Sequence, residues 1–500
     1  MGKSTQDDLH DLIHCLDAAE KGHFSKYAQR HALKDGNNYE QLFQVLAKMP
    51  TYDADAVTAA MKKLGIQTPL AAAKNHLKSI LLRAMRDYNS GRTTHTRLLE
   101  GLENLAFLHE KKQYDLLRKE IKRLKKMAEM YAEHHVLFKI GEYERRLHKE
   151  TAQREMTEGM EEIHEEMLQK ARAFQNQLQF AHLLDKMFVV ASKAGPDREQ
   201  AVNAILAAEL LASEENAMTF FARIYYHQIH AIAHMLKGQA AASQRKYGAV
   251  LSLWEGAPHL IEEYPTWYRR ILSNYLSICG ETGDYEAFEQ TLAKVRNSPA
   301  QQLSDEAEIF SIGFNAELIW RMGTADWAGV AEMVPALESG LQRFAEILRR
   351  GTVLVLAYHV AVFYFLSGEQ GLCNKWLRMI TEAGRTEQRM DIQRIAQAMG
   401  LVLIWMRGDL DLLAYELRSV QRYFENWGGG VVEQHVLQLM QALLQAKGSK
   451  ETQSAFAAFQ EALSAPNIAP LLGCNVFQAW ATAQLTGESP RALIAKSGKP

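Results

Sequence analysis

Apolar and aromatic residues in the second half of this 500-residue chain gather in dense runs of helical spacing, and the runs end at a recurring glycine. The glycines are Gly238, Gly283, Gly323, Gly368, Gly408 and Gly448, at intervals of 45, 40, 45, 40 and 40 residues. A period of that length marks stacked supersecondary units. Ahead of Gly283, Leu272, Tyr275, Leu276 and Cys279 share one helical face, as do Val360, Ala361 and Tyr364 ahead of Gly368. Behind the turn, Phe288, Leu292 and Val295 recur as Leu413, Leu417 and Val420 after Gly408. Each unit is therefore predicted to be a helix, a glycine turn and a second amphipathic helix. Glycine enters the left-handed conformation such turns require without a Cβ penalty. Asp284 and Asp409 follow directly, where a short acid caps the next helix.

The pattern extends backwards in weaker form. Gly195, followed by Pro196, sits 43 residues before Gly238, and Lys112 takes the turn place earlier still. Leu105 and Leu108 precede Lys112, and Leu117, Ile121 and Leu124 follow it. The charged stretch near residue 154 either holds another turn or runs on as one long helix. Residues 1–95 lack the period. They are predicted to form helices at about 5–19, 21–33, 37–48, 53–64 and 69–88, broken at Gly22, Gly36, Pro50 and Pro69. The tail from Gly487 is polar and is expected to be frayed.

Residues 272–299, with Gly283-Asp284-Tyr285 at the turn and Pro299 closing the unit, resemble a tetratricopeptide repeat. The family repeat is 34 residues long, shorter than the units here. The small residue expected seven before the turn is Ala231, Ala316 and Ala361 in three units but Leu276, Leu401 and Gln441 in the others. The resemblance covers about residues 96–465. Segments 20–28, 37–43 and 73–88 resemble the leading part of uncharacterised bacterial repeat proteins, which adds architecture and no mechanism. The expected fold is all-α: an N-terminal helical module (1–95), a right-handed α-solenoid of tetratricopeptide-like hairpins (96–485) and a flexible tail (486–500).

Composition agrees with helices joined by short turns, with 11 prolines in the whole chain. The net charge of -2 gives no global field toward nucleic acid, although residues 1–130 carry 22 Lys and Arg against 16 Asp and Glu. Cys15, Cys279, Cys373 and Cys474 form no C-x-x-C pair and read as reduced thiols of a cytoplasmic protein. The N-terminus has acids where a signal peptide needs an apolar run. The most apolar segment, residues 352–366, is shorter than the roughly 20 residues that span a bilayer and is expected to be a buried repeat helix.

Catalytic and metal signatures are weak. His227, His230 and His234 share a helix face at zinc-ligand spacing, but they occupy packing offsets of a repeat helix. Glu161-x-x-His164 has di-iron spacing without a second copy. No phosphate-binding glycine motif occurs, and Ser243-x-x-Lys246 lacks its companion motifs. Neither a metal nor another cofactor, nor an enzymatic activity, is expected.

The better lead is residues 111–127, with eight Lys and Arg against Asp115 and Glu120. Leu117, Ile121 and Leu124 mark the buried stripe, so Arg118, Lys122, Arg123, Lys125 and Lys126 form a candidate partner-binding basic face. The competing assignment is a solvated face opposite the acidic run Glu155, Glu158, Glu161, Glu162, Glu165 and Glu166. A helix-turn-helix outline over 53–64 and 69–88, with Lys74, Lys78, Arg83 and Arg86, points to nucleic acid, but Ala71–Ala73 are poor base readers. All eight tryptophans follow residue 250; Trp320 and Trp405 are expected to pack between repeats or to form an aromatic groove. The expected function is a non-catalytic scaffold or adaptor holding a protein or peptide on the concave face of the solenoid. The alternative is a regulator with a nucleic-acid-binding N-terminal module.

Overall fold

Short polar residues start the helices. Asp7 accepts hydrogen bonds from the Leu9 and His10 amides, and Asp53 from those of Asp55 and Ala56. Thr93 and Thr96 cap each other reciprocally. After the later turns, Asp284, Asp326 and Asp409 accept from the amides of Ala287, Gly329 and Leu412 at 3.0–3.1 Å. Each such cap satisfies an orphan donor and contributes about 1 kcal/mol.

A left-handed residue ends them. Gly65, Gly238, Gly283, Gly368 and Gly408 have φ between 69° and 77°, and Lys112, Ala132 and Ala325 take φ of 55°, 56° and 61°. At most of these turns the amide after the left-handed residue reaches a carbonyl five positions back. The bonds are Ile66 to Met61, Gln113 to Leu108, Glu133 to Ala128, Gln239 to His234, Asp284 to Cys279, Asp326 to Arg321 and Glu369 to Tyr364, all at 2.8–3.1 Å. One backbone device thus closes successive helices.

The computed structural model describes residues 7–30, 38–151, 156–192, 197–382, 389–465, 468 and 472–497. Gly36, the Gly195-Pro196 turn and the turn sought near residue 154 lie outside them. Among the described residues the fold is all-α, with twenty-five α-helices, two short 3-10 turns and no strand. The N-terminal helices are Asp8–His14, Ala18–Arg30, Asn38–Lys48, Ala54–Lys63 and Leu70–Asn89, close to the predicted spans. The charged stretch beyond residue 155 is the long helix Met156–Ala191.

Two predicted turns are displaced. Gly323 is the last residue of helix Leu303–Gly323, and Ala325 takes the left-handed position instead. Gly448 has φ -173° and precedes helix Ser449–Leu463 in extended backbone. Side-chain packing shows why the register moves. At six of these left-handed turns the residues seven before and five after are both buried, at no more than 2% exposure: Leu105 with Leu117, Ala231 with Ser243, Leu276 with Phe288, Leu318 with Val330, Ala361 with Cys373, and Leu401 with Leu413. Counting from Gly323 selects Ala316 and Ala328, which are not buried. Where the first member is alanine the second is small and polar: the Ser243 hydroxyl donates to the Ala231 carbonyl at 2.8 Å, and the Cys373 thiol to that of Ala361 at 3.3 Å. Small pairs and large pairs are two solutions to the same close packing.

The chain divides into two compact units, residues 1–181 with 215–222, and residues 182–214 with 223–500. The expected boundary at 95 falls inside the first unit, where it separates two hydrophobic clusters. Leu9, Phe24, Leu42, Phe43, Leu77 and Leu81 belong to one, and Leu98, Leu105, Leu117, Leu124 and Ile140 to the other.

In the second unit each hairpin packs on its successor, from Pro265–Thr282 and Tyr285–Arg296 through Val431–Gln445 and Ser449–Leu463. A buried Arg269 joins two of them. It donates to Asp305 (2.5 Å), Glu308 (2.6 Å) and the Pro299 carbonyl (3.0 Å). The apolar run 352–366 is the core of helix Arg350–Leu366, buried on nearly every side. Helix Cys474–Thr486 reaches back to this helix, and Pro490–Ser497 to Leu303–Gly323. Residues 490–497, expected to be frayed, are therefore an ordered helix: Ile494 is buried, and Arg491 stacks over the rings of Trp327 and Phe363.

Turn chemistry predicts opposite signs for two substitutions. Gly283→Val meets no steric obstacle, since a Cβ there has no neighbour within 4 Å, yet it should lower stability by about 1–2 kcal/mol through conformation alone. Ala325→Gly should raise it by about 0.5–1 kcal/mol. Urea denaturation of the two variants checks both, and equal midpoints would contradict the turn assignment.

Candidate functional site

The five cations of the basic face lie on helix Tyr114–Met130, whose apolar stripe Leu117, Ile121, Leu124 and Ala128 is buried. Three of them have carboxylate partners within the chain. Arg118 pairs with Asp115 at 3.4 Å, and Arg123 holds Glu120 through two bonds of 2.8 and 2.6 Å. The Arg123 bond keeps the Glu120 carboxyl below its ordinary range. Lys125 bridges Glu144 (3.0 Å) and Glu166 (2.6 Å). Burial alone lowers the Lys125 ammonium, but its bonds to Glu166 and Glu144 outweigh this and raise its pKa.

Glu166 belongs to the acidic run, so that run meets the basic helix at Lys125; the side chains of Glu155 and Glu158 lie outside the described residues. Lys122 and Lys126 are exposed and form no ion pair among the described residues. Beside them a cleft of about 430 Å³ is lined by Arg118, Lys122, Lys125, Glu144 and His148. Of its three cations, Lys125 is held by Glu144 and Glu166, Arg118 has only the exposed Asp115, and Lys122 has no ion pair among the described residues.

The helix-turn-helix outline fares similarly. Gly65 makes the predicted turn between Ala54–Lys63 and Leu70–Asn89. Lys74 is paired with Asp7 and lies 4.8 Å from the centre of the Tyr52 ring. Ala71 is exposed and Ala73 buried, so the first turn of the second helix presents methyl groups rather than donors.

The histidine face on helix Phe220–Leu236 does not assemble a ligand set. His227 lies 3.2 Å from Glu214, and His234 bonds Gln239 at 2.7 Å. His230 packs against the Tyr226 ring at 4.5 Å. Burial pushes its pKa down to about 4, with Lys246 adding to the effect. The three occupy packing positions, as their repeat offsets predicted. Cys279, Cys373 and Cys474 are free and buried, and burial pushes the thiols of Cys279 and Cys373 up to about 12. Such thiols are inert as nucleophiles.

A second cleft, in the repeat unit, has a different character. It lies between helices Pro265–Thr282 and Leu303–Gly323 and has a volume of about 500 Å³. Trp320 stacks on Phe288 at 4.0 Å and 8°, and Tyr285 meets Trp320 edge-on at 4.8 Å. Trp320 thus packs between successive hairpins and also lines the cleft. Tyr285 and Ile319 remain exposed at 61% and 39%. Gly280, Gly283 and Gly323 line the same space, so backbone can approach closely.

Asn315 is among the residues lining this cleft; its side-chain oxygen is shielded from water and has no hydrogen-bond partner among the described residues. The sequence pointed to Trp320 as a groove aromatic but held no sign of Asn315 or Ile319, because the cleft joins residues 273–288 to 315–324.

Two histidines make stability pH-dependent. Burial pushes both His230 and His359 down to about 4, with Lys246 and Arg389 respectively reinforcing it. The unfolded chain takes up these protons near pH 6.5, before the folded one does. Stability is therefore full above about pH 6.5 and falls as pH drops toward 4. Melting temperatures across that range should decline in the native protein and decline less in a His230→Gln variant.

Compared with known proteins, the chain matches no family model and no curated sequence.

Proposed function

We propose that this protein is a non-catalytic scaffold or adaptor, and that a protein or peptide segment docks in the cleft between helices Pro265–Thr282 and Leu303–Gly323. In this reading the hairpins form a right-handed, tetratricopeptide-like solenoid, and the cleft is part of its concave face. The observation that carries the proposal is a cleft lined by Trp320 stacked on Phe288, with Tyr285 and Ile319 exposed beside them and three glycines in the same lining. Tyr285 and Ile319 offer apolar contact to the side chains of a docked peptide, and interfaces favour such exposed aromatics.

The alternative of a nucleic-acid-binding N-terminal module draws less support. Lys74 is engaged by Asp7, and three cations of the basic face are engaged by their own chain.

Selection of short random peptides on the immobilised full-length chain tests the proposal. Recovered peptides should bind Tyr285→Ala with Ile319→Arg at least about tenfold more weakly, while Arg123→Glu with Lys126→Glu leaves affinity unchanged. The opposite pattern would move the site to the basic helix. A salt-sensitive gel shift by the full chain would favour the nucleic-acid reading.

A further inference from the structure

Three side chains that no local motif connects meet in the N-terminal unit. His95 is the second residue of helix Thr94–Glu110, Glu133 follows the left-handed Ala132 turn, and His135 is in the first turn of helix His134–Thr151. The His95 Nδ1 lies 3.6 Å from one Glu133 carboxylate oxygen, and the His135 Nδ1 lies 3.2 Å from the other. One donor atom from each of the three residues fits within 4.8 Å. Among the described residues no other group of three His, Cys, Asp or Glu side chains converges in this way.

We infer that His95, Glu133 and His135 form a binding site for a divalent transition-metal ion, with Zn²⁺ the expected occupant. The donor chemistry selects the class. Two imidazoles and one carboxylate suit Zn²⁺ and its neighbours, whereas Ca²⁺ and Mg²⁺ require a shell of oxygen ligands. The distances agree. Zinc bonds these donors at about 2.0–2.2 Å, which sets tetrahedral ligands roughly 3.3–3.5 Å apart. The two nitrogen–oxygen separations are near that value, each to a different oxygen of Glu133, so a turn of the carboxylate brings one oxygen to both imidazoles. The imidazole–imidazole edge closes by rotation of side chains that are 48% and 45% exposed.

The backbone holds the site in register. The reciprocal Thr93–Thr96 cap fixes the first turn around His95. The Glu133 amide bonds the Ala128 carbonyl at 2.8 Å, closing the turn that aims Glu133 and His135. Phe174 lies 6.0 Å from the His135 ring and bounds it on one side. The Glu133 side chain is only 12% exposed, held between the imidazoles rather than extended into water.

Three protein ligands leave a fourth position open to solvent. A metal here would tie the first helix of this cluster to the turn joining the second and third, clamping the core built on Leu98, Leu105, Leu124 and Ile140. The site is independent of the peptide cleft, so either can fail without the other.

Zinc titration of the chelator-treated full-length protein by calorimetry, together with the visible absorption of its Co²⁺ form, tests the inference. One equivalent of zinc should bind and raise the melting temperature. His95→Ala, Glu133→Gln and His135→Ala should each weaken binding at least about tenfold, while His234→Ala leaves it unchanged. Histidine modification by diethyl pyrocarbonate, read by mass spectrometry on the unmutated protein, gives a check that does not depend on variant folding. Zinc should protect His95 and His135. Absence of stoichiometric binding, binding that survives the His95→Ala, His135→Ala double substitution, or protection centred on other histidines would overturn the assignment.

Discussion

The left-handed turn is the constraint on which the helical pairs depend. A helix ends with four carbonyls lacking partners, and a residue at positive φ lets the following amides bond back to them within two positions. That reversal brings the next helix directly against the last. In six of the hairpins the residues seven before and five after the turn are buried together, and large and small pairs occupy the same two positions. Ser243 against Ala231 and Cys373 against Ala361 use a side-chain hydrogen bond at close range, whereas Phe288 against Leu276 fills a wider space with carbon.

Contacts beyond the hairpin then distinguish one unit from another. Arg269 is fully buried, so its guanidinium needs Asp305, Glu308 and a carbonyl to replace water, and this ties the spacing of two hairpins to one charge cluster. Trp320 stacked on Phe288 makes the neighbouring link through apolar surface. The C-terminal helices add contacts that skip along the sequence. Trp480 packs near Phe365, Trp405 and Phe456, and Arg491 reaches Trp327 and Phe363. The last helix is thus part of the core, although its sequence is polar enough to read as a tail.

Candidate sites were legible in proportion to how local they are. The basic stripe on residues 111–127 is visible from spacing alone, because one helix carries it. Its neutralisation is not visible, since Glu144 and Glu166 arrive from other helices. The histidines at 227, 230 and 234 form a conspicuous local pattern but do not converge on a common ligand. His95 and His135, forty positions apart with Glu133 beside the second, have no pattern and do converge. The same holds for the cleft of Tyr285, Ile319 and Trp320, which exists only because helix Leu303–Gly323 lies beside Pro265–Thr282.

The sequence by itself determined the helical content, the repeating hairpin, most of the hinge positions and the burial of residues 352–366. All of these follow from spacings shorter than one hairpin, where chain connectivity brings the residues together. Tertiary structure decided the rest. It placed the hinge at Ala325 rather than Gly323, because burial of Leu318 and Val330 accompanies a strained alanine in the turn. It ordered residues 490–497 through contacts more than a hundred positions away. It also assembled the His95, Glu133 and His135 cluster. Glycine marks where a turn is easiest, but the packing of both helices fixes where the turn occurs.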